Sequence, residues 1–166
     1  IYTNQTCTTT ALTAEGTPAS GVVPADGAFS LAVTAVANGT VTFWARLVDA
    51  AGNVSPCSTT KVVYLHDDKA PAMPTVNGTS PESPSSELHP TLIGRAEALS
   101  EVDVYANATC SGMPLGSGPA NANGGFEVPI TITANTTTTL YATATDAAGN
   151  VSPCSTTTVT YAHDDS

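Results

Sequence analysis

The twelve residues DAAGNVSPCSTT occur at Asp49–Thr60 and return unchanged at Asp146–Thr157. A duplicated phrase of this length makes the chain a tandem repeat, and each copy has to build the same local structure. The likeness runs on downstream, where KVVYLHDD at 61–68 faces TVTYAHDD at 158–165. It also runs upstream, where IYTNQTC at 1–7 faces VYANATC at 104–110. The first cysteines, Cys7 and Cys110, are 103 positions apart, and the second, Cys57 and Cys154, are 97 apart. The first repeat therefore carries a longer loop between its cysteines. A repeat of about 95–100 residues is an ordinary small-domain size. The second repeat fills it, from 70 to 166. The first, 1–69, aligns only from Val104 onward, so the counterpart of 71–103 is missing. The reading is of an internal piece of a longer array.

Hydrophobic alternation with period two runs through both copies, and no stretch shows helical periodicity. In TTLYATATD (138–146), Leu140, Ala142 and Ala144 point one way and Tyr141 and Thr143 the other. Phe43, Ala45 and Leu47 repeat the inward set, with Trp44 and Arg46 outward. EVDVYAN (101–107) turns Val102, Val104 and Ala106 inward, and TTVTYA puts Val159 and Tyr161 on one face. Turn chemistry such as NANGG, TANTT and DAAGN bounds each run. About seven short strands result, near 72–78, 91–97, 102–107, 114–121, 125–132, 138–146 and 155–162. An antiparallel two-sheet sandwich is the expected solution. The duplicated phrase then reads as the corner between the last two strands, with Asp146 closing one, Gly149 at positive φ and Val151 leading into the next.

DAAGNVS after an alternating strand, followed by a Thr/Val strand and an Ala-Pro linker, resembles the bacterial immunoglobulin-like repeats. So does GRAEALSEVDVYANATC (94–110), with its Gly-x-Ala-Glu-x-x-x-x-Val-x-Val-Tyr pattern. The resemblance covers the second repeat and the back two-thirds of the first. It implies tandem immunoglobulin-like β-sandwiches, the first lacking its N-terminal strands. Such modules serve as stalks, adhesive tips, filament units and appendages of secreted enzymes.

Charge excludes some partners. Four Lys and Arg stand against fourteen Asp and Glu, a net charge of −10. That argues against nucleic acid or an anionic membrane as partner. Four cysteines at matching places read as disulfides formed in an oxidising, extracellular compartment. Their wide spacing is not that of a zinc site. Connectivity stays open between two patterns. Cys110 follows the third strand at the end where the chain leaves its domain, and Cys154 follows the corner at the opposite end. A strand spans roughly 20 Å, and bridged Cα atoms lie about 5–6 Å apart. A bond from Cys7 to Cys154 across the junction is therefore slightly favoured, with Cys57 and Cys110 bonding to further repeats. In-domain pairs are the alternative.

Calcium is a candidate cofactor, because the linker Asp67 and Asp68 would approach Asp146 and Asn150 at the corner, and hard oxygen ligands suit that ion. The competing reading makes Asp146 and Asn150 turn formers and the Asp pair a solvated linker. Tyr105 and Tyr141 are expected side by side on an outer face, with Tyr2 and Trp44 repeating the arrangement. Such aromatics serve either to stack on a sugar or partner surface or to brace the sheet. Seven Asn-x-Ser/Thr triplets, at Asn4, Asn38, Asn53, Asn77, Asn107, Asn135 and Asn150, read first as turns. His66, His89 and His163 have no nucleophile at a recognisable spacing. Lysine is limited to Lys61 and Lys69, which nearly excludes Lys–Asn isopeptide crosslinks. The chain reads as a non-catalytic structural segment of a secreted or cell-surface array. Its expected partners are neighbouring immunoglobulin-like repeats, homotypic filament contacts or a glycan or surface ligand. A glycan- or protein-binding module and an accessory region of a secreted hydrolase are the alternatives.

Overall fold

The computed structural model describes residues 1–165, and among them there is no α-helix. The chain divides into two compact units, Ile1–Asp68 and Lys69–Ser166.

The second unit is a two-sheet sandwich. One sheet has the order β3-β4-β7, made of Thr75–Ser80, Thr91–Arg95 and Gly125–Pro129. The other has the order β6-β5-β8-β9, made of Gly116–Pro119, Glu101–Tyr105, Thr137–Thr145 and Val159–Ala162. All pairings are antiparallel. Alternation places Val102, Val104, Leu140, Ala142 and Tyr161 of one sheet against Val76, Leu92, Phe126 and Val128 of the other. Small inward residues let the layers close. Gly94 is required by this packing, because a Cβ there would lie 2.4 Å from the Phe126 ring and 2.3 Å from the Thr75 carbonyl oxygen. The buried Tyr161 hydroxyl donates to the Glu87 carbonyl at 2.8 Å, which satisfies the one polar atom of the core's largest side chain.

The first unit holds β1 (Thr40–Phe43) and β2 (Val62–Leu65), paired antiparallel. Thr40 faces Leu65 as Thr137 faces Ala162, so β1–β2 reproduces the β8–β9 register residue for residue. Bridges Tyr2↔Trp44 and Val48↔Val54 extend it as Tyr105↔Tyr141 and Thr145↔Val151 do in the second unit. What forms is one layer. Gly27–Val36 aligns with Gly124–Thr133, which contains β7, yet it lies in no strand. In the second unit β7 takes its ladder from β4, and residues 1–68 contain no counterpart of β4.

Three sequence expectations need correction. The last strand begins at Val159, not at 155, because at Ser155 the side-chain hydroxyl, not the backbone carbonyl, accepts the Ala142 N–H, so the regular ladder starts only beyond it. Leu47 was expected inside and is exposed, since no second layer covers it. Ala106 was expected inside and is exposed, because β5 ends at Tyr105 and the chain turns away.

Candidate functional site

The repeated phrase builds the same device in each unit, and nearly every residue of it makes a specific bond. At the second corner, Asp146 Oδ1 accepts from the Ala148 and Asn150 backbone N–H groups, each at 2.9 Å. Its Oδ2 accepts from Asn150 Nδ2 at 2.9 Å. Asp49 does the same with Ala51, Asn53 and the Asn53 side chain, at 2.8–2.9 Å. The glycines sit at φ 86° (Gly52) and 90° (Gly149), where a Cβ would be strained. The Asn53 side-chain hydrogen bond, joined by backbone N–H groups, holds the Asp49 carboxyl below its ordinary range. Asn150 does the same for Asp146.

Beyond the corner the chain runs back beside β8, and serines complete the ladder around the proline. The Ser152 backbone N donates to Ala144 O at 2.8 Å, and the Ala144 N donates to Ser152 Oγ at 2.9 Å. Ser155 and Ala142 repeat the exchange at 2.9 and 3.1 Å. The two hydroxyls pass their own protons to the Pro153 and Thr157 carbonyls. Ser55 and Ser58 make the matching bonds to Leu47 and Ala45. Among the described residues no buried side-chain polar atom lacks a partner.

This return path decides the disulfides. Cys7 bonds to Cys57 with Cα atoms 5.7 Å apart, and Cys110 to Cys154 at 5.6 Å. The favoured Cys7–Cys154 bond across the junction is therefore incorrect. Two facts close the expected gap. Cys154 lies between Ser152, opposite Ala144, and Ser155, opposite Ala142, so it has already travelled back from the corner. On the other side, the chain after Tyr105 reverses at Asn107–Cys110, where the Cys110 N–H donates to Asn107 O at 3.1 Å and Cys110 takes φ 45°. Tyr105 pairs with Tyr141, one residue from Ala142, so the two cysteines arrive at the same level of the sheet.

The proposed calcium ligands are placed differently from one another. Asp146 and Asn150 come together, but as partners in the corner. Asp68 Oδ1 accepts from Asn38 Nδ2 at 2.6 Å, and its N–H donates back to Asn38 Oδ1 at 2.8 Å. Asp67 is exposed in the same C-terminal stretch of its unit. Among the described residues no group of three or more His, Cys, Asp or Glu side chains converges as a metal site would.

The aromatic pairs form. Tyr105 and Tyr141 stand directly opposite in the β5–β8 register, each half-buried on the face away from the core. Tyr2 and Trp44 exchange backbone hydrogen bonds at 2.8 and 2.9 Å, and the Arg46 guanidinium lies 4.8 Å from the Tyr2 ring centroid.

One constellation went unassigned in the sequence. His163 Nδ1 accepts from the Asn135 N–H at 3.0 Å, so the ring proton sits on Nε2, which faces the Ser86 carbonyl at 3.2 Å. His66 takes the same bond from Asn38 at 3.2 Å. Asn38 and Asn135 both have positive φ, 50° and 55°. The shared His-Asp-Asp ending is thus a clasp that locks the last strand onto an Asn turn. Its signal in the sequence is the joint recurrence of Ala-Asn and His-Asp-Asp. The Asn-x-Ser/Thr triplets follow the same logic: Asn4, Asn53, Asn107 and Asn150 spend their side chains on local turn bonds, and Asn38 spends its side chain on Asp68.

Corner, disulfide and sandwich together describe an immunoglobulin-like module, and residues 70–161 match the bacterial Ig domain family. The chain belongs to that family. The match takes in the whole β3–β9 sandwich apart from its last residue, Ala162. No curated protein matches the chain. A solved structure described as a biofilm associated protein, BSP domain, matches with a TM-score of 0.39 and 20% identity. The match covers 95% of this chain and 25% of that one, so the chain spans a quarter of the length of that structure.

Proposed function

We propose that the chain is a load-bearing, non-catalytic segment of an extracellular tandem Ig array, of the kind found in stalks and surface fibres. The observation that carries this reading is the use of the repeated phrase. Asp, Gly, Asn, both serines and the cysteine are each consumed in backbone bonds or a crosslink, twice over. A loop kept for chemistry leaves side chains directed at a substrate, and this one directs them at its own chain. Two disulfides and an excess of acidic residues fit an oxidising, extracellular setting.

Pulling single molecules from both ends tests the idea. The Cys110–Cys154 bond hides 44 residues from extension. Reduction should lengthen the unfolding step of that domain by about 150 Å, at roughly 3.3–3.6 Å per residue. A domain that extends at negligible force in both redox states is no load-bearing unit.

A second reading rests on the Tyr105–Tyr141 pair. The two residues are directly opposed in the β5–β8 register and half-buried on the outer face, and neighbouring outward aromatics are groups that stack on sugar rings. A glycan array comparing the native chain with a Tyr105→Ala/Tyr141→Ala variant separates the readings, since a pure spacer shows no ligand for either.

A further inference from the structure

The chain leaves the second sandwich through His163, and this residue ties three separate segments together. Its backbone N–H donates to Thr136 O at 2.9 Å, in the turn before β8. It bridges to Ser85 in the β3–β4 connection, where the Ser85 N–H donates to Ala162 O at 3.1 Å and the Asp164 N–H donates to Ser85 O at 3.0 Å. The side chain is enclosed by these segments, and the residue is only 5% exposed. Both ring nitrogens are engaged: Nδ1 accepts from the Asn135 N–H at 3.0 Å, and Nε2 faces Ser86 O at 3.2 Å. Only the neutral ring, with its proton on Nε2, makes both bonds. Asn135 is itself held in a turn at φ 55°, with its Oδ1 accepting from the Asp165 N–H at 3.3 Å.

We infer that His163 is an acid-operated latch: uptake of a second ring proton releases residues 163–165 from Asn135 and Ser86 while the sandwich stays folded. A proton on Nδ1 would set one N–H donor against another, the Asn135 N–H, across 3.0 Å. The backbone donor then loses its acceptor, and a positive charge enters an enclosed site that offers it one carbonyl. Charges nearby do not rescue the closed form. The titratable groups on the packed elements are Glu82, Glu87 and His89 in the β3–β4 connection, Tyr161 on β9, and Asp164 and Asp165 beyond it, while residues 130–136 bring none. Glu87 Oε1 accepts from the His89 N–H at 2.8 Å, and the Tyr161 hydroxyl is committed to Glu87 O. The four carboxylates are exposed, where water and salt weaken their pull on an enclosed ring. They pair with a charged imidazole only after it swings out, which favours release. The sign follows from linkage: the open form binds the proton and the closed form does not, so the latch is shut above the ordinary imidazole range and opens as pH falls through it. The segment it frees is the one that in the first repeat, at 66–68, runs straight into Lys69. Acid would therefore loosen the exit of a repeat and leave its body intact.

Amide hydrogen exchange on the whole chain tests the latch, corrected for the intrinsic pH dependence of exchange. A freed imidazole takes its proton near pH 6.5, so between about pH 8 and about pH 5 the protection of the Asn135, His163 and Asp165 amides should fall roughly 30-fold. The Leu140 and Ala142 amides of β8 should hold theirs. His163→Gln removes the titrating group and should leave Asn135 equally protected at both ends of the range. Unchanged protection in the native chain overturns the inference, and so does an equal fall in native chain and variant, which would assign the response to another group. Should the variant fail to fold, the ring nitrogen resonances of the native chain decide in its place. A fall in protection with the closed ring neutral and its proton on Nε2 upholds the latch. A ring that is protonated while Asn135 keeps its protection overturns it. Either result leaves the load-bearing reading untouched, since that reading rests on the corner and the disulfides.

Discussion

At the scale of single residues, the corner aspartates explain why the phrase is written the same way twice. Asp49 and Asp146 each bind two backbone N–H groups and one Asn side chain. Glu is too long for the turn, and Asn would offer an N–H where Asn53 or Asn150 already donates. Both carboxyls are held below their ordinary range, chiefly by the Asn side-chain hydrogen bond. A depressed folded value means that the charged form is favoured by folding. Stability from the corners is therefore fully present above the unfolded carboxylate value, near pH 4, and is lost as pH falls through the lower folded value. The native chain should lose melting temperature on acidification from pH 5 to pH 2. An Asp49→Asn/Asp146→Asn variant should start lower at pH 5 and show a shallower slope. Parallel pH profiles for the two would mean that the corner carboxylates contribute nothing through their charge.

At the scale of elements, the disulfide ties the loop after β5 to the return strand. It closes a loop of 44 residues in a domain whose inward positions are largely Val, Ala and Leu. Loop-closure entropy for that length is worth up to about 4 kcal/mol, and measured native bonds fall mostly at 2–4. A Cys110→Ser/Cys154→Ser variant should lose about 2–4 kcal/mol in urea denaturation of the second unit, or about 10–25 °C in melting temperature. A loss under about 1 kcal/mol would show that the backbone ladder alone fixes this edge. The same region shows how far the sequence carries. Strands β4, β5, β7 and β8 were legible because alternation marks a two-layer core, and the corner was legible because Gly-Asn after Asp has few other uses. Cysteine pairing was not legible. It depends on how far the chain runs back before Cys154, and that is set by the Ser152 and Ser155 side chains replacing ladder groups. Nothing in period or propensity encodes such side-chain bonding. The His163 clasp escaped for a similar reason: its partners are backbone atoms of Asn135 and Ser86, so the recurrence of Ala-Asn with His-Asp-Asp shows that the two segments repeat together but not that they bond.

At the scale of the whole chain, the two units share a design and differ in what covers it. The second has a sealed core in which Leu92, Val102, Val104, Val128, Leu140 and Tyr161 are fully buried. In the first, Leu47, Val62, Val63 and Leu65 remain more than half exposed. Apolar burial contributes roughly 25 cal/mol per Å², so the unit with one layer forgoes most of the driving force that its sequence offers. The two should then unfold separately, and the chain carries its own probe. Its single tryptophan, Trp44, lies in the first unit, paired with Tyr2. Tryptophan fluorescence therefore follows that unit alone, while far-UV circular dichroism is weighted toward the strands of the second. In a urea titration the fluorescence transition should come at lower denaturant and with a smaller slope, because less surface is exposed on unfolding. The circular dichroism change should persist beyond it. Coincident transitions with one slope would mean that the chain folds as a single cooperative body, and the missing layer would then cost the first unit no independent stability.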